Sequence, residues 1–223
     1  MTFRASKQAS RKMFRPDRWP VICDRGKYIQ NLAQGMDVLD VGCTGIRADG
    51  NIPEPATTLH QALSVSAKSL LGVDIDPIGV KNLVDAGYNA VCDDITSMSL
   101  SQTFDLIVAG EIIEHLLNPG TALVNLGRHL RPGGRLVLTT PNPFHYRQQS
   151  RILRRGRIKV HAEHTAWFDP VTVRSLLDKT GFEILNGMWI YSQHKSELLR
   201  FIGRWRKYWN PNFLVVSRLK ESG

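Results

Sequence analysis

From Met36 to Leu219 the chain alternates short apolar runs with segments of helical period, and few folds accommodate that rhythm. The runs Met36–Val41, Leu70–Val73, Tyr88–Cys92, Phe104–Ala109, Arg135–Thr140, Phe182–Ile190 and Phe213–Leu219 read as strands. Helices are expected over Asp24–Gln34, Thr57–Ser69, Pro77–Ala86, Asn118–Leu130, Pro170–Thr180 and from His194 to about Tyr208. Asp24 and Pro77 supply start signals, and Gly35 and Gly181 supply stops. Residues 46–56, with Gly50, Pro53 and Pro55, read as a loop, and Pro132-Gly133-Gly134 as a turn. Near-continuous apolar strands between helices mean a sheet buried on both faces and mostly parallel. The expectation is a doubly wound α/β domain with seven strands.

At 223 residues the chain suits one domain with a full core, and 42% hydrophobic with 22% charged residues is ordinary globular composition. No run approaches the roughly 18 to 20 apolar residues of a membrane span, and no apolar segment follows the basic N-terminus as in a signal peptide. Cys23, Cys43 and Cys92 have neither metal nor disulfide spacing, so reduced thiols and a cytoplasmic setting are expected.

The net charge of +9 is unevenly spread. Arg4, Lys7, Arg11, Lys12, Arg15 and Arg18 crowd a tail over residues 1–20, which lacks a clear period and is expected to contain disordered sequence. A basic insertion over 144–167, read as a loop, carries Arg147, Arg151, Arg154, Arg155, Arg157 and Lys159 without an acid up to Lys159. Lys195, Arg200, Arg204, Arg206 and Lys207 lie in a C-terminal amphipathic helix over 194–209, where Leu198, Leu199, Phe201, Ile202, Trp205 and Trp209 recur at helical spacing. That helix is either a lid packed on the core or an interfacial helix. The charge favours an acidic partner: a phosphorylated, glycan-type or lipid-linked small acceptor, an anionic membrane surface or, ranked lower for want of a recognition module, nucleic acid. A basic solubilising surface is the plain alternative.

In a doubly wound sheet, ligands bind beyond the carboxyl ends of the strands. Four features fall there: Asp40-Val41-Gly42-Cys43-Thr44-Gly45, Asp74-Ile75-Asp76, Asp93-Asp94-Ile95, and Gly110 leading into Glu111-Ile112-Ile113-Glu114-His115. Glycines past a strand let the backbone approach a ligand, and the Asp74 carboxylate can accept hydrogen bonds from both hydroxyls of a ribose. A nicotinamide dehydrogenase would also place an acid at the second strand end. Here, however, the glycines do not make G-x-G-x-x-G, and a Pro-containing loop follows them. That removes the helix N-terminus that would hold a pyrophosphate.

Val38-Leu39-Asp40-Val41-Gly42-Cys43, Leu71-Gly72-Val73-Asp74-Ile75-Asp76, Asp93-Asp94-Ile95, Glu111-x-x-Glu114-His115-Leu116 and Arg131-Pro-Gly-Gly-Arg-Leu-Val-Leu-Thr-Thr-Pro-Asn142 resemble the class I S-adenosylmethionine-dependent methyltransferases. The likeness spans roughly Asp24 to Gly187 and is nearest to a bacterial group that often accompanies glycan and lipid biosynthesis. It implies a Rossmann-like fold, a single methyltransferase domain over 21–223, and S-adenosyl-L-methionine as cofactor. It further implies that Asp40 and Gly42 flank the methionine portion, that Asp74 binds the ribose, and that Asp94 binds the adenine amino group. The candidate cofactor contacts are Asp40, Gly42, Cys43, Gly45, Asp74, Ile75, Asp93, Asp94, Ile95 and Gly110. Thr44 and Ile46 depart from the resemblance, standing where many members have glycine.

Methyl transfer is an in-line displacement that needs alignment and, for an oxygen nucleophile, a base. Candidates are Glu111, Glu114, His115, His145, His161 and His164, of which His164, Glu111 and His115 are the expected catalytic residues. If the segment after Gly110 is helical, Glu111, Glu114 and His115 share a face at i, i+3 and i+4. Glu111, Glu114, His115 and His164 also resemble the divalent-metal site of small-RNA terminal ribose methyltransferases. The expected activity is O-directed methyl transfer to a phosphate-bearing or glycan-type acceptor. The alternatives are a metal-assisted RNA ribose 2'-O-methyltransferase, a non-catalytic S-adenosylmethionine-binding protein and a nicotinamide oxidoreductase.

Overall fold

The computed structural model describes residues 14–45, 59–191, 201 and 203–221. Outside them fall the loop expected over 46–56, half of the stretch 194–209 with Leu198, Leu199 and Ile202, and the tail cations Arg4, Lys7, Arg11 and Lys12.

Among the described residues eight strands form one sheet: β1 Val21–Ile22, β2 Asp37–Val41, β3 Ser69–Asp74, β4 Ala90–Cys92, β5 Phe104–Gly110, β6 Leu130–Pro141, β7 Phe182–Ile190 and β8 Asn212–Leu219. The helices that accompany them include α1 Arg25–Ala33, α2 Leu59–Ser64, α3 Pro77–Asp85, α4 Pro119–Arg128, α5 Tyr146–Arg155 and α6 Pro170–Lys179. The strand order is β1-β7-β8-β6-β5-β2-β3-β4, and only β8 runs antiparallel to its neighbours. The expected α/β, mostly parallel architecture is therefore observed, with eight strands instead of seven. The additional one, β1, pairs Val21 with Trp189 and Ile22 with Ile190, and two residues are too few to leave a period in the sequence.

The core lies in two layers because side chains alternate across each strand. On one face Leu39, Val41, Ile107, Ala109, Leu136 and Leu138 pack with Leu123, Leu126, Val173 and Leu177 of α4 and α6. On the other, Val38, Leu106, Val108 and Val137 pack with Ile29, Ala33 and Leu63 of α1 and α2. Burying each such aliphatic side chain stabilises the fold by roughly 1.5–3 kcal/mol. The helix starts follow their caps: Asp24 accepts from the Lys27 amide, Asp76 from those of Ile78 and Gly79, and Asp169 forms a capping box with Thr172.

Two expectations about the basic segments are corrected. The end of the tail is part of the fold: Pro16 is buried, and the indole of Trp189 donates to its carbonyl at 2.7 Å. Trp19 lies over Gly187, where a Cβ would stand 2.2 Å from its ring. The insertion is not a loop throughout, since Tyr146–Arg155 forms α5 and ends at Gly156 in the left-handed conformation. Of α5 only Gln148 is buried, so the segment carries no apolar period by which sequence could reveal a helix.

Candidate active site

The strand order reverses direction between β2 and β5, and a cleft of about 600 Å³ opens there beyond their carboxyl ends. Asp40, Gly42, Cys43, Gly45, Asp74, Ile75 and Gly110 line it, as do Glu111, Glu114, His115, His161 and His164. Gly42 has φ +74°, and a Cβ there would lie 2.2 Å from the Ile112 side chain. The turn therefore needs glycine twice over. Asp40 is buried, with its Oδ2 3.0 Å from Nδ1 of the equally buried His60. Burial raises its pKa, partly offset by His60. Burial likewise pushes the Cys43 thiol up, with Asp40 and Asp74 adding to the effect, so it is no nucleophile at neutral pH.

Asp74 ends β3 with its carboxylate tied to its surroundings. Its Oδ2 accepts from the backbone N (3.0 Å) and the hydroxyl (2.7 Å) of Thr44, and its Oδ1 from the Asp76 amide. Thr44, the departure from the family pattern, thus hooks the loop after β2 to the acid at the end of β3. Ile75 stands 71% exposed at the cleft's edge, an apolar shelf of the kind a flat base covers. Asp93, Asp94 and Ile95 follow β4 but do not line the cleft. The Asp93 amide donates to the Asp74 carbonyl, Asp94 Oδ1 accepts from the Thr96 amide, and Ile95 is buried in the core.

The condition under which Glu111, Glu114 and His115 would share a helical face is not met. Glu111 has φ +57°, a strained conformation for a residue with a side chain, and only a 3₁₀ turn, Ile113–His115, follows. The three side chains consequently diverge instead of sharing a face. Glu111 pairs with Arg25 Nη1 at 3.1 Å and accepts from the Asn212 amide group. Glu114 turns inward and accepts from the Thr140 hydroxyl at 3.0 Å, while its Oε1 has no partner among the described residues. Burial, with Glu111 adding, pushes its carboxyl up to about 7. His115 remains in the cleft, with its ring centroid 4.7 Å from that of His164 and 5.8 Å from that of His161. Burial lowers the pKa of both His115 and His164, and their imidazole neighbours lower it further, so both are neutral at pH 7.

A second pocket of about 230 Å³ adjoins the cleft, walled by Pro143, Val160, Trp167 and Phe168, with Lys159 in its lining. Glu111, Glu114, Pro141, His161 and His164 line both cavities. A family model described as a methyltransferase domain matches residues 14–186. The chain belongs to that family.

The chain is 27% identical over 191 residues to the human mitochondrial ubiquinone biosynthesis O-methyltransferase, an alignment covering 73% of this chain and 48% of the relative. It is 30% identical over 131 residues to the ubiquinone biosynthesis O-methyltransferase of Coxiella burnetii, covering 53% of this chain and 50% of the relative. The chain thus spans about half the length of these relatives. Among solved structures, the N-methyltransferase NodS of Bradyrhizobium japonicum WM9 in complex with S-adenosyl-L-homocysteine superposes with a TM-score of 0.58 at 19% identity, covering 88% of this chain and 86% of that one. The [4+2]-cyclase SpnF superposes at 0.61 with 17% identity, covering 87% and 81%. The fold is that of the class I, S-adenosylmethionine-dependent methyltransferases, and no glycan or lipid subgroup emerges from these relatives.

Several residues in or behind the cleft carry no sequence signal. Arg25 reaches it from the start of α1, and its Nη1 also donates to the Thr139 hydroxyl at 3.3 Å. His60 meets Asp40 across 20 residues. Thr165 anchors the histidine loop: its hydroxyl donates to the carbonyls of Glu114 and Leu116, and its amide to that of Glu114. That contact brings His161 and His164 to His115. One ligand atom from each of His115, His161 and His164 lies within 4.8 Å of the others. The expected metal set of Glu111, Glu114, His115 and His164 is not the group that meets this spacing, because Glu111 and Glu114 are drawn off by Arg25 and Thr140.

Proposed function

We propose that the protein transfers a methyl group from S-adenosylmethionine to a hydroxyl of an acidic, lipid-linked or glycan-type acceptor. The observation that carries this reading is the shared wall between the two cavities. A cofactor in the larger cleft and an acceptor in the smaller pocket would meet beside His161 and His164. The larger cleft falls within the roughly 300–1,000 Å³ of small-molecule sites. In this arrangement Asp74 accepts from the ribose hydroxyls, displacing Thr44, and Ile75 packs on the adenine. Arg25 holds the methionine carboxylate beside Gly42 and Gly45. Asp94 serves the adenine amino group only by turning from its bond to the Thr96 amide.

The acceptor oxygen attacks the methyl carbon, the carbon–sulfur bond breaks, and its electron pair stays on sulfur as S-adenosylhomocysteine. A neutral ring nitrogen of His164 takes the hydroxyl proton, with His115 beside it and Glu111 holding Arg25 in place. Oxygen as the nucleophile is further supported by the names of the relatives, both O-methyltransferases. Lys159, in the lining of the smaller pocket, would meet an acidic group on the acceptor. In the His164→Ala variant turnover should fall by ~10²-fold or more while affinity for S-adenosylhomocysteine stays within about twofold. Native turnover with the true acceptor would remove the role.

The spacing of His115, His161 and His164 supports a second reading, in which the three imidazoles would hold one divalent ion that would supply polarisation of the acceptor hydroxyl. Loss of turnover on chelation and recovery with added zinc or manganese would select it, and labelling of RNA under those conditions would favour ribose methylation. Turnover unchanged by chelator would exclude both.

A further inference from the structure

We propose that α5 and the segment that returns from it dock the protein on an anionic lipid bilayer, with the mouth of the smaller pocket facing the lipid. Every residue from Ile152 to Val160 is exposed, although the stretch is far from uniformly polar. Leu153 is 86% exposed, Ile158 52% and Phe144 50%. At 100° per residue, Tyr146, Gln149, Ile152 and Leu153 occupy one side of the helix, and Arg147, Arg151 and Arg154 the other. Arg155, Arg157 and Lys159 continue the charge, and no acid occurs between Phe144 and Val160. A short helix with outward aliphatic side chains flanked by cations suits the boundary between headgroups and acyl chains. Near an anionic surface each cation adds roughly fivefold to binding.

The element is held rigidly at the pocket. Buried Gln148 donates from its Nε2 to the Lys159 carbonyl at 3.1 Å, and its Oε1 accepts from Arg151 Nη1 at 2.8 Å and from the Lys159 amide. Gln148, Lys159, Val160 and Trp167 also line the smaller pocket. The docking face and the pocket mouth are therefore one continuous surface, across which a lipid-linked acceptor would not have to enter water. Two other occupants fit less well. A second copy of this chain would set six cations against six, and nucleic acid gains nothing from Leu153, Ile152 and Ile158, which offer no ring for a base to stack on.

The proposal goes beyond the methyl-transfer reading and its test is independent of it, since vesicle binding needs no turnover. The full chain is sedimented with vesicles of phosphatidylcholine containing 30% phosphatidylglycerol, and with phosphatidylcholine alone. Binding should favour the anionic vesicles by at least about tenfold at low salt. It should fall about tenfold or more in Ile152→Ser/Leu153→Ser and, separately, in Arg155→Gln/Arg157→Gln. Circular dichroism melting and affinity for S-adenosylhomocysteine should be unchanged in both variants. Absence of binding to anionic vesicles, or binding that the aliphatic variant leaves intact, would overturn the proposal. So would a 20-nucleotide RNA that displaces the protein from vesicles yet binds the Ile152→Ser/Leu153→Ser variant as well as the native chain.

Discussion

Glu114 is a carboxyl group in the wrong solvent: 2% exposed, one oxygen bonded to Thr140 and the other without a partner among the described residues. Its pKa is near 4.5 unfolded and about 7 folded, so the folded state holds the proton more tightly. Below pH 4.5 the group is neutral in both states and costs nothing electrostatically. Between pH 4.5 and 7 the unfolded chain ionises first, and stability declines as pH rises. Above pH 7 the full cost of the buried charge, about 3 kcal/mol, is present. Glu114→Gln should flatten the profile across that window and raise stability at pH 8 by on the order of 1–3 kcal/mol, read by urea unfolding at pH 5 and pH 8. A variant with an unchanged slope would place the titration elsewhere. At Gly42, with its positive φ and the Ile112 side chain in the way, alanine should cost about 1–3 kcal/mol and weaken S-adenosylhomocysteine binding. Unfolding and calorimetry of Gly42→Ala check both.

The contacts that join elements separate stability from chemistry. At the amino-terminal end of the sheet, Asp37 of β2 accepts from Ser69 of β3 at 2.8 Å and from Arg131 of β6 at 2.7 Å. Arg131 also pairs with Asp105 of β5 at 2.8 Å. The Ser69 and Arg131 bonds hold the Asp37 carboxyl at about 2, below its ordinary 3.8. Its contribution is complete above pH 3.8 and is lost as pH falls through about 2. Asp37→Asn should therefore be less stable than native at pH 7, the gap closing in strong acid, with cofactor affinity unaffected. At the opposite end, Thr165→Val should cut turnover by about 10- to 10²-fold through displacement of His161 and His164, and leave S-adenosylhomocysteine binding intact. Equal losses in binding and turnover would mean that the loop serves the cofactor instead.

The strand ends were legible because a parallel strand buried on both faces leaves an unbroken apolar run, and its last acid or glycine then marks the crevice. Asp40, Gly42, Asp74 and Gly110, which line the cleft, stand at such strand ends. Whether the segment after Gly110 is helical stayed open in the sequence, because spacing alone does not reveal the positive φ at Glu111. α5 was invisible for the opposite reason, having a helical backbone with no apolar face turned to a core. Arg25, His60 and Thr165 act through contacts with residues distant in the chain, and no local pattern announces those.

Across the whole molecule, the two ends of the sheet have different work. The amino-terminal end is clasped by ion pairs, and the carboxyl-terminal end holds the glycine turn, the tethered acid and the imidazoles. Six cations stand on α5 and its return segment, beside the smaller pocket, so the proposed acceptor site and the proposed docking face are neighbours. No helix among the described residues is long and apolar enough to cross a membrane. Every cofactor-binding and catalytic role proposed for the cleft depends on its receiving S-adenosylmethionine, with Asp74 on the ribose. Calorimetry of the native chain and of Asp74→Ala with S-adenosylhomocysteine tests that dependence directly. The native chain should bind one equivalent, and loss of two charge-assisted hydrogen bonds should weaken binding by roughly 10²-fold. No binding by the native chain, or equal affinity in the variant, would contradict it.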